Sequence, residues 1–143
     1  MIKILFVCHG NICRSPMAEF IMKDLVRKAG LEKEFEIASV AASREEIGNP
    51  IYPPAREELS KHGVPYDRRK ARQITAADLD YFDQIYYMDA RNERYLRQLF
   101  GDKADKCRPL LPHDVADPWW TGDFAATWDD LLLGCTQILE NNP

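Results

Sequence analysis

Short apolar runs alternate along this chain with stretches in which apolar residues recur every three or four positions, the pattern of strands followed by amphipathic helices. Ile2 to Val7 is apolar except for Lys3 and reads as the first strand. Ala18, Ile21, Leu25 and Ala29 fall at helical spacing, which predicts a helix from about Ser15 to Ala29 stopped by Gly30. A second strand is expected over Phe35 to Val40, then a helix from near Pro54 to His62 ended by Gly63. Thr75-x-x-Asp78 has the form of a capping box that opens a short helix. Beyond it the pattern predicts a strand over Ile85 to Met88, a helix capped by Asp89 and running through Leu99 to Gly101, a fourth strand over Lys106 to Leu110 and a last helix over Phe124 to Leu139. Such alternation implies an α/β fold, a single-domain three-layer sandwich whose four-stranded parallel sheet, in the expected order 2-1-3-4, has helices on both faces. Pro109 to Asp123 shows no period, and a piece that long is best explained as a functional loop.

The first strand runs directly into Cys8-His9-Gly10-Asn11-Ile12-Cys13-Arg14-Ser15. A strand that ends in a tight turn and feeds a helix N-terminus aims several backbone N–H groups and the positive end of the helix dipole at one spot, where an anion is stabilised. Gly10 and Asn11 suit positive φ, Ser15 suits the N-cap and Pro16 the first helical position. Cys8 lies at the mouth of that spot, and a field that binds a phosphate dianion also favours a thiolate, the nucleophilic form. Arg14 has a planar fork that can hold two phosphoryl oxygens and follow their charge into a trigonal transition state. The side chain of Asn11 is placed to tie the loop into shape, and the Ser15 hydroxyl can donate to the Cys8 sulfur and ease its departure as a leaving group.

A thiolate that attacks phosphorus must expel an alkoxide or phenoxide, and an acid is needed to protonate that oxygen. Asp117 is the candidate, in Val115-Ala116-Asp117-Pro118-Trp119-Trp120, where Pro118 stiffens the segment. Asp-Pro is equally an ordinary turn pair. Trp119 and Trp120 shift the balance, because consecutive tryptophans in a polar loop form an aromatic wall suited to a flat aryl leaving group.

With both ends of the chemistry located, the sequence resembles the low-molecular-weight protein tyrosine phosphatases over nearly its whole length. The matching stretches are Val7 to Pro16 with Met17-Ala18-Glu19, Ser39 to Ser43 with Ile47 to Pro50, Ala71 to Thr75, Met88-Asp89 with Asn92, and Asp117 to Trp120. The resemblance implies Cys8 as nucleophile, Arg14 as phosphate clamp and Asp117 as general acid and then base. It further implies His9, Gly10, Asn11, Ile12, Cys13 and Ser15 as the phosphate loop, Ser39 in its hydrogen-bond shell, a cysteinyl-phosphate intermediate, and neither metal nor cofactor. Three departures stand out. Glu45, in Ser43-Arg44-Glu45-Glu46, takes the place of an aromatic residue that commonly flanks the substrate ring. A histidine that usually supports the loop is missing from Arg68-Arg69-Lys70-Ala71-Arg72, so that contact must differ. Trp119-Trp120 replace a pair that is often Tyr-Tyr, so regulation by phosphorylation there should be absent.

Length and composition narrow the remaining possibilities. A chain of 143 residues forms one ordinary domain. A net charge of −4 argues against nucleic acid as a partner. No apolar run approaches the roughly 20 residues that span a bilayer, and the first strand leads straight into a loop rather than a cleavage site, so no membrane association and a cytoplasmic location are expected. Cys8, Cys13, Cys107 and Cys135 lack metal-ligand spacing. Cys13 either packs beneath the loop or pairs with Cys8 under oxidants. Arg68, Arg69, Lys70 and Arg72 read first as a solvated loop, with an anion-attracting patch as the alternative. His62 reads as a helix C-terminal residue meeting the dipole, and His113 as a loop residue.

The expected partners are phosphotyrosine-containing proteins or peptides, with inorganic phosphate as product and inhibitor. Arsenate reductases and protein-arginine phosphatases share this fold and loop. The former need a resolving cysteine pair past mid-chain, and the latter resemble this loop with Thr at the position of Ile12. A phosphocarrier would have to preserve its cysteinyl phosphate, which an aspartate able to activate water would destroy.

Overall fold

The computed structural model describes residues 1–142. Its sheet has the strands β1 (Ile2–Cys8), β2 (Phe35–Ala41), β3 (Gln84–Tyr87) and β4 (Cys107–Pro109), all parallel, in the order β2-β1-β3-β4. The central β1 pairs with β2 from Ile2↔Phe35 to Cys8↔Ala41 and with β3 from Ile4↔Gln84 to Val7↔Tyr87. The helices are α1 (Arg14–Lys28), α2 (Pro53–Lys61), α3 (Ala76–Tyr81), α4 (Ala90–Phe100), α5 (Pro118–Thr121) and α6 (Phe124–Asn141), with a 3-10 segment at Gly101–Lys106.

Strand periodicity sorts the core into two layers. Ile4, Phe6 and Cys8 point to the side on which Met17, Ile21 and Met22 of α1, Leu59 of α2 and Leu131 and Cys135 of α6 are buried. Leu5 and Val7 point to the other side, against Leu79 of α3, Leu96 of α4 and Ala104 of the 3-10 segment. Each fully buried side chain of this size contributes about 1.5–3 kcal/mol, so a β1 apolar on both faces is a main source of stability. Parallel pairing brings the carboxyl ends of β1, β2 and β3 to one edge, where ligands bind in open sheets of this type.

Most element boundaries fall within a residue or two of those expected. Two differ for informative reasons. α1 begins at Arg14, with Cys13 at the N-cap position and no side-chain cap, because the Ser15 hydroxyl is used elsewhere. The aperiodic stretch from Pro109 to Asp123 contains the single turn α5, for which Asp117 is the N-cap and Gly122, at φ 72°, the left-handed stop.

Candidate active site

The phosphate loop is shaped by Asn11. It is the non-glycine residue with positive φ, 60°, and it is completely buried. Gly10 is not in that region, contrary to expectation, and its Cα lies against the Glu46 side chain instead, with 3.1 Å between an added Cβ and Glu46 Cγ. The Asn11 amide repays its backbone strain with a full set of partners. Its Nδ2 donates to Ser15 Oγ at 2.7 Å and to Ser39 Oγ at 3.0 Å. Its Oδ1 accepts from an Arg69 guanidinium nitrogen and from the Arg72 N–H at 3.4 Å, and its carbonyl accepts from Arg69 Nη1 at 2.8 Å.

A polar relay therefore runs under the loop to the sulfur. Ser39 Oγ, near the end of β2, donates to Glu19 Oε1 at 2.6 Å. Ser15 Oγ lies 3.0 Å from Cys8 Sγ and 3.3 Å from the Val40 carbonyl, and the Asn11 N–H donates to Cys8 Sγ at 3.3 Å. The Cys8 sulfur is thus met by two groups of the loop, the Ser15 hydroxyl and the Asn11 N–H. The other three thiols are held protonated by burial, which pushes Cys107 up to about 11 and raises Cys135. Cys13 is raised by burial first and then by the charges of Cys8 and Asp117.

Arg14 is enclosed, at 2 % exposure. Its Nη1 donates to Asp89 Oδ2 at 2.7 Å and to the Val115 carbonyl at 2.8 Å, and its Nη2 lies 3.5 Å from Asp117 Oδ2. Its buried Nε has no partner among the described residues. A buried guanidinium N–H without a protein partner is a donor able to meet a ligand oxygen. Burial opposes the Arg14 charge, but Cys8, Asp89 and Asp117 outweigh it and raise its pKa. Burial alone would likewise raise the Asp89 carboxyl. The charge and hydrogen bond of Arg14, with the amides of Asn92 and Arg91, hold it below its ordinary value instead.

Asp117 stands opposite, its Oδ1 accepting the Trp119 N–H at 3.1 Å. Pro118 at the first position of α5 and this cap together fix the carboxylate at the pocket wall. Trp119 packs on Tyr52 with centroids 4.8 Å apart, and Trp120 is 76 % exposed. A pocket of about 230 Å³ gathers Cys8, Arg14, Asp89, Asp117 and both tryptophans around one opening. His9, Gly10, Ile12, Cys13 and Glu45 also border it, whereas Asn11, Ser15 and Ser39 lie behind it as support. Among the described residues no three His, Cys, Asp or Glu side chains gather as a metal site.

Three contributors were not singled out from sequence. Asp89 was read as a helix cap, which it is, with Oδ1 accepting the Asn92 N–H at 2.8 Å, but its second oxygen holds Arg14. Glu19 lies in α1, in the Met17-Ala18-Glu19 stretch that carries the resemblance, but its hydrogen bond to Ser39 has no local signal. Arg69 was grouped with a solvated basic loop; it is half-buried on Asn11, and Arg72 pairs with Asp78 through two hydrogen bonds of 2.9 Å. Arg69 thus supplies the loop contact that the missing histidine left open. His62 ends α2 as expected, but it also meets Glu58 Oε2 at 2.8 Å and stacks on Trp128.

A cysteine at the end of a central parallel strand, a tight loop closed by a buried arginine and a carboxylate across the opening form the arrangement of cysteine-dependent phosphatase folds. The model of the low molecular weight phosphotyrosine protein phosphatase family matches residues 3–141, and the chain belongs to that family. The low molecular weight protein-tyrosine-phosphatase YfkJ of Bacillus subtilis is 42 % identical over 147 residues, covering 97 % of this chain and 94 % of that protein. The crystal structure of YfkJ superposes with a TM-score of 0.94 at 41 % identity, covering 99 % of this chain and 94 % of the other. A low molecular weight protein tyrosine phosphatase from Streptococcus pyogenes gives a TM-score of 0.92 at 38 % identity, covering 99 % and 93 %.

Proposed function

We propose that this protein hydrolyses phosphotyrosine in proteins or peptides by two in-line displacements. The observation that carries the reading is the Arg14 Nε–H, buried without a partner among the described residues, on a side chain that lines the same pocket as Cys8, whose sulfur already receives the Asn11 N–H. In the first step the Cys8 thiolate forms a bond to phosphorus, the bond to the phenolic oxygen breaks, and Asp117 gives that oxygen its proton. In the second, Asp117 takes a proton from water, the water oxygen bonds to phosphorus, and the thiolate leaves with phosphate released. Arg14 and the loop amides bind the equatorial oxygens in both transition states, and Ser15 stabilises the departing sulfur.

Trp119 and Trp120 support an aryl leaving group, and Ile12, on the pocket wall, supports it against phosphoarginine. Inorganic phosphate is both product and competitive inhibitor on this reading. Dependence on a reduced thiol and the four free cysteines support the cytoplasm as its compartment.

Phosphate release from phosphotyrosine, phosphoserine and phosphoarginine peptides, measured with a chelator present for the wild type and Cys8→Ser, tests this. Loss of phosphate from phosphotyrosine alone, abolished in Cys8→Ser, is expected. Preference for phosphoarginine would overturn the leaving-group assignment, and no turnover on any peptide would make the chain a carrier or binding module.

A further inference from the structure

The rim residue in the place of the usual aromatic is a carboxylate held in a fixed position. Glu45 Oε2 lies 2.6 Å from His9 Nε2, and His9 is the residue next to the nucleophile. The backbone around it is sewn to the same residue. The Ser43 N–H and hydroxyl both donate to the His9 carbonyl, at 3.0 and 2.8 Å, and the Glu45 N–H donates to Ser43 Oγ at 3.4 Å. His9 in turn meets Tyr95 edge-on at 6.1 Å. Glu45 still faces water, with 69 % of its side chain exposed. Its neighbour Glu46 accepts from Asn49 Nδ2 at 2.6 Å and lies against Gly10.

The balance of charge at the opening is unusual for an anion site. Glu45, Glu46, Asp89 and Asp117 line it against Arg14 and Arg91, with His9 between. Asp89 and Asp117 are engaged with Arg14, which leaves Glu45 and Glu46 as one acidic wall beside the phosphate loop. The phosphate is drawn by buried donors at short range, whereas the residues flanking it meet the field of the wall.

We propose that Glu45, seated by His9, determines specificity: it selects phosphotyrosines flanked by lysine or arginine and disfavours those flanked by acidic residues. This rests on the phosphatase reading above and adds the class of substrate. The flanking cation meets the wall as a partly exposed ion pair, so the preference is modest and salt-sensitive.

The test compares three phosphotyrosine peptides of one length, with lysine, alanine or glutamate on both sides of the phosphotyrosine, and p-nitrophenyl phosphate as a substrate without flanks. For the wild type, kcat/KM is expected to fall from the lysine to the glutamate peptide by about three- to tenfold at low salt, and the ratio to shrink toward one in 0.5 M salt. Glu45→Gln, which retains an oxygen for His9, is expected to lose most of that ratio; any change common to all substrates cancels in it. Equal kcat/KM for the three peptides, or a ratio unaltered in Glu45→Gln, would overturn the proposal while leaving hydrolysis of p-nitrophenyl phosphate to uphold the activity. Should no substrate turn over, equilibrium binding of the same peptides decides the rim's role, with equal affinities overturning it.

Discussion

Arg14 and Asp89 share a hydrogen bond of 2.7 Å inside the protein, and the other oxygen of the same carboxylate starts α4 by accepting the Asn92 N–H. One side chain thus helps to orient Arg14, the proposed phosphate clamp, and sets the entry of the helix after β3. Asp89→Asn keeps a competent N-cap but removes the charge facing Arg14, whereas Asp89→Ala removes both. The alanine variant is expected to be less stable than the asparagine variant by about 1 kcal/mol in urea denaturation, the worth of a cap. Both should weaken phosphate inhibition, because each removes the carboxylate that holds Arg14 Nη1.

The same pair gives stability a sign with pH. Asp89 titrates below its ordinary value of 3.8 in the folded chain, so its contribution is fully present above that value and is lost as pH falls through the folded-state value. The stability difference between wild type and Asp89→Asn should therefore be constant from pH 5 upward and close progressively below about pH 4. A difference that widens toward acid would contradict the assignment.

Arg69 fills a position for which the sequence offered only a basic run. Arg69→Ala leaves the buried Asn11 carbonyl and Oδ1 short of donors, at a cost of about 1–3 kcal/mol, and frees a residue held at φ 60°. A kcat lowered by about tenfold or more is expected, with the larger fraction recovered in Arg69→Lys only if one donor suffices to seat the loop. Measuring kcat and the inhibition constant for phosphate separates a misplaced sulfur from a merely weakened anion site.

On the proposed mechanism Asp117→Asn removes the proton donor while the asparagine still caps α5. Rate loss should grow with the pKa of the leaving phenol, being largest for phenyl phosphate and smallest for p-nitrophenyl phosphate. An equal loss on every leaving group would contradict the acid role.

Gly134 lies where α6 crosses Leu110, and an added Cβ would come within 2.5 Å of Leu110 Cγ. Gly134→Ala gains about 1 kcal/mol of helix propensity but overpacks a buried contact, typically at 1–3 kcal/mol. A net loss of up to about 2 kcal/mol is expected from thermal denaturation, with the cost of Gly134→Ala smaller in a Leu110→Ala background than in the wild type.

What was legible in the sequence follows from the range of the forces involved. Strand and helix periods are local, and Ile2 to Val7 feeding Cys8 to Arg14 announced both the central strand and the loop. Asp117 was found because Asp-Pro followed by two tryptophans is locally odd. Asp89 and Glu19 fall in stretches that carry the resemblance, but their roles, like that of Arg69, are not local, because each acts on a partner far along the chain: Arg69 on Asn11, Asp89 on Arg14, Glu19 on Ser39. Gly10 misled for a related reason, since the need for a small residue there comes from Glu46 packing across the loop and not from backbone torsion.

The Val115 carbonyl and the Asp117 carboxylate that steady Arg14 come from 101 and 103 residues further along the chain. During synthesis Cys8 therefore leaves the ribosome well before Val115 and Asp117, the partners of Arg14, and Cys135 of α6, which reaches the Ala18 carbonyl of α1, follows later still. On the proposed mechanism, turnover thus requires the sheet and its long loop to be assembled, and a form that holds Cys8 but lacks Asp117 is expected not to release phosphate from a substrate.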